Sequence, residues 1–238
     1  MTDRGGASGA EIHHSHRDVT GGWLRPSVFG VMDGLVSNTA LIAGVAAGGV
    51  SDDTVVLAGL AGLVAGALSM GTGEYTSVAS QSELARAEIE IEKREIARVP
   101  DAEQAELAAL YRSRGVDEKT AREVARQLSS NPEQALRVHA REELGVDLDD
   151  LPSPSTAAAS SFAAFSVGAL VPVLPFLLGA TSLALAVGLA LLALFLSGAL
   201  VSRFTSRGAL YSGTRQLLLG SAATAATYLI GSAVGAGV

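Results

Sequence analysis

The sequence has no cysteine, which removes disulfides, thiolate metal sites and a cysteine nucleophile together. It also lacks a Ser, His and Asp order, a phosphate-binding glycine loop and an HExxH pair, so an enzyme is not expected. No charged residue occurs between Leu151 and Ser202. About 20 apolar residues make one membrane-spanning helix, so that run holds two. Residues 1 to 22 lack the apolar centre of a cleaved signal peptide and predict a polar cytosolic arm. Within it His13, His14 and His16 read as a transient metal site or as a solvated cluster.

What is present is strongly apolar. The 238 residues (24.1 kDa) are 48% apolar and 17% charged, with a mean hydropathy of +0.35, richer in apolar residues than an ordinary soluble domain. A net charge of -7 argues against nucleic acid and for cations as partners. Trp23, Arg25 and Pro26 mark an entry into the bilayer, since Trp favours the interface and Pro suits a first helical turn. Five spans follow, at about Ser27 to Gly48, Val55 to Val78, Ala157 to Leu178, Leu183 to Val201 and Leu210 to Val234. The chain thus divides into an amino-terminal arm (1–26), two spans (27–80), an acidic insertion (81–150) and three further spans (151–238). With the amino terminus inside, all 17 Lys and Arg lie on the inner side or, for Arg215, in the adjoining end of the fifth span. The outer turns carry Asp52 and Asp53 and no base, so the insertion is expected in the cytosol.

The stretch Leu63 to Glu106 organises the rest. It starts as a span, and no Gly or Pro interrupts it from Glu74 to Val99, so one helix is expected to leave the membrane and continue in water. On the polar half Glu88, Glu92 and Glu95 share a face, and beyond Pro100 the pair Glu103 and Glu106 repeats the spacing of three. Four short helices are expected, over 81–98, 101–114, 117–129 and 132–145. Glu pairs from several helices are how helical bundles hold divalent iron or manganese, and hard carboxylate oxygens with an imidazole suit those ions. His139 offers the imidazole, with Glu142 and Glu143 on its face. The alternative is an ordinary solvated face, with Lys93, Arg94 and Arg98 close at hand.

Three more groups sit at the inner end of the spans. Asp33 lies on the order of 9 Å inside the first, Met70 at similar depth in the second, and Glu74 one turn nearer the cytosol. An ionisable group at such a depth is a functional candidate by default. The bland readings are that Asp33 caps a neighbouring helix or bonds Asn38, that Met70 is core filler, and that Glu74 is an exposed helix-end acid.

These residues resemble the vacuolar iron transporter family, membrane proteins that move ferrous iron, and often manganese, out of the cytosol. The resemblance runs from Trp23 nearly to the carboxyl end. It is carried by GWLRPSVFGVMDGLVSNTALIAG, AGALSMGTGEYTSVASQ, the acidic insertion, AREELGVD and GALVPVLPF. It implies an all-α homodimer of five-span subunits with a cytosolic metal-binding domain between the second and third spans and a path between the two first helices. It places path residues at Asp33 and Met70, beside which Glu74 completes the inner mouth, and cytosolic iron ligands at Glu92, Glu95, Glu103, Glu106, His139 and Glu143. It also implies exchange of metal for protons, which suits a buried acid able to carry either. This chain departs from the pattern at Gly62, where many members have a further carboxylate, at His139, where relatives often have Met, and at Ala140, which stands in place of another acid.

The expectation is therefore a divalent metal exporter with Fe2+, Mn2+ or a similar ion as cargo or regulator, and no permanent cofactor. Its partners are the metal ions, protons, the bilayer and a second copy. Two rivals remain at this level: a scaffold whose acidic helices bind a basic protein, and a carrier of an organic solute. The plain five-span layout without a targeting segment predicts a prokaryotic plasma membrane.

Overall fold

Runs of apolar residues broken only by Gly, Pro and capping Ser fold as helices throughout the computed structural model, which describes residues 22–204 and 207–237. The histidines of the amino-terminal arm lie outside the described residues. Among the described residues eight α-helices follow in order: α1 (Leu24–Ala47), α2 (Asp52–Arg98), α3 (Pro100–Ser113), α4 (Glu118–Leu128), α5 (Pro132–Glu142), α6 (Pro154–Leu177), α7 (Leu183–Val201) and α8 (Ala209–Gly235). A 3-10 turn, Ser202–Phe204, closes α7. Five helices, α1, α2, α6, α7 and α8, are long and apolar enough to cross a membrane.

The expected continuity of the second span holds, since α2 is one helix of 47 residues. Ser51 caps its start by accepting from the Thr54 amide, with Asp52 and Asp53 in the positive first turn. It stops where Pro100 drives the preceding residue out of helical geometry, with Val99 at φ -137 and ψ 54. The same proline then opens α3, where its missing N–H costs nothing. Several bounds differ from the sequence expectation. Pro26 sits inside α1, which starts at Leu24, and Ser153 with Pro154 starts α6 three residues early. The last helix of the insertion ends at Glu142, not at 145, with Glu143 as its cap.

The spanning helices meet through small residues. A Cβ built on Gly34 of α1 would lie 2.3 Å from the Phe165 carbonyl oxygen of α6, and one on Gly168 would lie 2.3 Å from that of Val31. Backbone therefore rests on backbone, which is how helices pack where hydrocarbon supplies no hydrophobic drive. Pro172 and Pro175 are buried inside α6, and the helix continues through both. Toward the end of the bundle remote from α3 to α5, Ile42, Val55, Val173, Phe176 and Ala186 form a compact core. Leucines such as Leu57, Leu185, Leu196 and Leu229 face outward and are exposed, as a helix surrounded by lipid requires.

Helices α3 to α5 form a smaller unit against the polar half of α2. Its core is Leu107, Ala108 and Ala125, flanked by Tyr111, Leu128 and Val138. Ser82 on α2 donates to the Pro152 carbonyl at 2.9 Å, tying the rod to the segment that re-enters the spans.

Candidate metal centre

The centre is built where α2, α3 and α5 converge. Asn131 caps α5 by accepting from the amides of Glu133 and Gln134, and Pro132 fills the first turn, which fixes the register of α5. Two turns on, His139 is driven fully inside, at 0% exposure. Its Nδ1 lies 2.9 Å from Glu92 Oε1 on α2, 2.9 Å from Glu143 Oε1 and 4.0 Å from Glu103 Oε2 on α3. One ligand atom from each of Glu92, Glu103 and His139 falls within 4.8 Å of the others, and all three residues are buried.

These close approaches are not hydrogen bonds. Both ring nitrogens of His139 and the Oε1 atoms of Glu92 and Glu143 are buried without a hydrogen-bond partner. Leaving a buried polar atom unsatisfied costs about 1–3 kcal/mol, so the three that converge, His139 Nδ1 and the two Oε1 atoms, call for a further partner. The charge balance says the same. Burial, reinforced by Glu143, Glu103 and Glu95 and opposed by His139, pushes the Glu92 carboxyl up to about 7. Burial raises Glu103 as well, with Glu106 the next cause. A divalent ion set among these oxygens would relieve both burial and repulsion, and mixed carboxylate and imidazole donors suit Fe2+ or Mn2+.

The other acids fall into distinct places. Glu95 and Glu106 are exposed at the rim, near enough to act on Glu92 and Glu103. Glu88 shares their spacing yet is exposed and takes no part in the cluster. Glu142 points elsewhere: Arg114 pairs with its carboxylate and donates to its backbone carbonyl at 3.3 Å. Glu143, the cap residue, is the one that reaches the imidazole.

A second polar site lies within the spans. Asp33, Ser37, Asn38, Gly62, Ser69 and Met70 line a cavity of about 240 Å3 between α1 and α2. The lining brings Asp33 and Met70 together and does not include Glu74, which is half-buried further along α2. Asp33 is not bonded to the Asn38 amide, which instead donates to Gly59 and Ala169 carbonyls. The orientation of Asn38 is not readable from the sequence; its one signal there is an amide in an otherwise apolar run.

Five helices long and apolar enough to span, a half-buried acid among them and a buried carboxylate and imidazole cluster that could hold a metal ion are the features of a multi-pass membrane protein with a candidate metal centre. The chain belongs to the VIT family, whose model matches residues 24–232. It is 40% identical over 220 residues to the vacuolar iron transporter of Acanthamoeba castellanii, covering 89% of this chain and 78% of that protein. It is 33% identical over 232 residues to vacuolar iron transporter 1 of Oryza sativa subsp. japonica (96% and 92% of the two chains). The Arabidopsis thaliana vacuolar iron transporter 1 is 32% identical over 229 residues (93% and 90%). These relatives are vacuolar by name and eukaryotic, so the expected prokaryotic plasma membrane is not borne out, while an integral membrane location is.

Proposed function

We propose that this chain exports ferrous iron, with manganese as a second cargo, from the cytosol in exchange for protons, across the membrane that holds its five spans. The observation that carries this reading is the convergence of unpartnered Glu92, Glu143 and His139 atoms around one buried point. An ion is captured there from the cytosol, aided by the rim charges of Glu95 and Glu106. It passes to the mouth at Glu74, enters the cavity between Asp33 and Met70, and leaves on the far side as protons return. The distribution of Lys and Arg along the chain supports a cytosolic position for α3 to α5. The family's homodimer is supported by the stripe of Ser37 and Leu41, exposed on α1 beside the Asp33 cavity, where a second copy would complete the wall.

A scaffold that binds a basic protein could use exposed acids such as Glu95 and Glu106, but it gives no account of Glu92 and Glu103, which are turned inward. A regulatory role for the same cluster is a distinct reading, favoured by its burial and by its remoteness from the cavity. Replacing Glu92, Glu95, Glu103 and Glu106 together separates the two: a sensor loses its threshold, a relay loses rate at every metal concentration.

The test is uptake of Fe2+ or Mn2+ into sealed vesicles that hold a pH-sensitive dye. The intact protein should drive metal one way and protons the other, and Asp33→Asn should do neither. An intact protein that carries neither metal would end this reading.

A further inference from the structure

Inside the cavity one polar atom is left over. Asn38 is 2% exposed, and its amide nitrogen donates to Gly59 O of α2 at 3.1 Å and to Ala169 O of α6 at 2.6 Å. Both acceptors are carbonyls, so the NH2 must face them and the orientation of the amide is fixed. Oδ1 is thereby turned away, buried and without a hydrogen-bond partner. Asn38 borders the same space as Asp33 and Met70. Directly in front of its oxygen stands Gly62, where a Cβ would sit 2.7 Å from Oδ1 and 2.5 Å from Leu41 Cδ2. With no side chain at 62, only the flexible end of Leu41 stands beside that position.

We propose that Asn38 Oδ1 ligates the divalent cation during its passage through the cavity, replacing a hydration water, and that it biases passage toward oxygen-preferring ions. The proposal rests on the metal-transport reading above. Two backbone carbonyls on separate helices hold the amide, so its oxygen keeps one direction and the ion reaches it once the side chains that bury it yield. Being neutral, it also adds no charge to Asp33, and a passing ion must be held weakly enough to leave. Met70 supplies a soft sulfur, so the balance between hard and soft ions in this cavity turns on how many oxygens face it.

The experiment compares initial rates of Mn2+ and Cd2+ uptake by the full chain in sealed vesicles. Asn38→Ala removes the oxygen. Gly62→Ala keeps the amide and sets a methyl group against Oδ1, with the flexible Leu41 end able to yield. In both variants the ratio of Mn2+ to Cd2+ uptake should fall by about fivefold or more, because the harder ion loses its oxygen donor. If Asn38 only pinned α1 to α2 and α6, both ions would slow alike, and an unchanged ratio in either variant that still carries an ion overturns the proposal. Should Asn38→Ala fail to fold, Gly62→Ala alone decides. An intact protein that carries neither ion overturns the transport reading, and this proposal with it.

Discussion

His139 Nδ1 stands 2.9 Å from Glu92 Oε1 with no hydrogen bond between them, although both atoms are buried. Two donor atoms this close, both left without a hydrogen bond, can be bridged by a metal ion. Glu92→Gln should therefore weaken Mn2+ binding to the full-length protein by more than the roughly 10- to 100-fold that loss of an outer-shell partner costs. The same change should raise the thermal midpoint of the metal-free protein at pH 8, where the native carboxylate is charged among other acids. Calorimetric titration and a thermal unfolding scan check the two halves separately.

The raised Glu92 carboxyl gives a sign to the pH dependence. Its ordinary value is 4.5 and in the fold it is about 7, so between those values the folded chain holds a proton that the unfolded chain has released. Stability of the metal-free protein should accordingly be greatest below that window and fall as pH rises through it. Metal affinity should move the opposite way, rising as pH approaches and passes 7, with protons released on binding. Titrations of Mn2+ at pH 6 and pH 8 in two buffers of different ionisation heat measure both; equal affinity at the two values contradicts the assignment.

Adjacent acids at the end of α5 should behave differently. Glu143→Ala removes an oxygen at the imidazole and should reduce metal affinity at least about tenfold. Glu142→Ala breaks only the half-exposed pair with Arg114, worth about 0–1 kcal/mol, and should leave affinity unchanged. Equal losses in the two variants would count against the cluster as described.

Gly34→Ala tests the packing of the spans. The added methyl would meet the Phe165 carbonyl oxygen at 2.3 Å and the Ala169 nitrogen at 2.8 Å, both backbone atoms that cannot step aside. A loss of about 1–3 kcal/mol, or more, is expected, read as a lower thermal midpoint of the detergent-solubilised protein.

Much of this architecture was legible in the chain. The charge-free run after Leu151 announced two of the spans, and the absence of Gly and Pro before Pro100 announced the long α2. Helical spacing grouped Glu88, Glu92 and Glu95, but it could not say which of them turns inward, because that depends on where α5 crosses α2. Nor could it choose between Glu142 and Glu143. They lie three and four residues beyond His139, so both share its face by spacing, and it is the pairing of Glu142 with Arg114 at the end of α3 that separates them. Asn38 was visible as a polar residue, yet the direction of its amide is set by Gly59 and Ala169 on two other helices.

The unbroken α2 joins the two polar sites mechanically. Met70 and Glu92 stand on it about six turns and roughly 33 Å apart, and at 100° per residue they project only about 40° from one another. A single helix that carries both sites links them through its own backbone hydrogen bonds. A rigid tilt of this helix that moves Glu92 moves Met70 with it, because both stand on the same unbroken element.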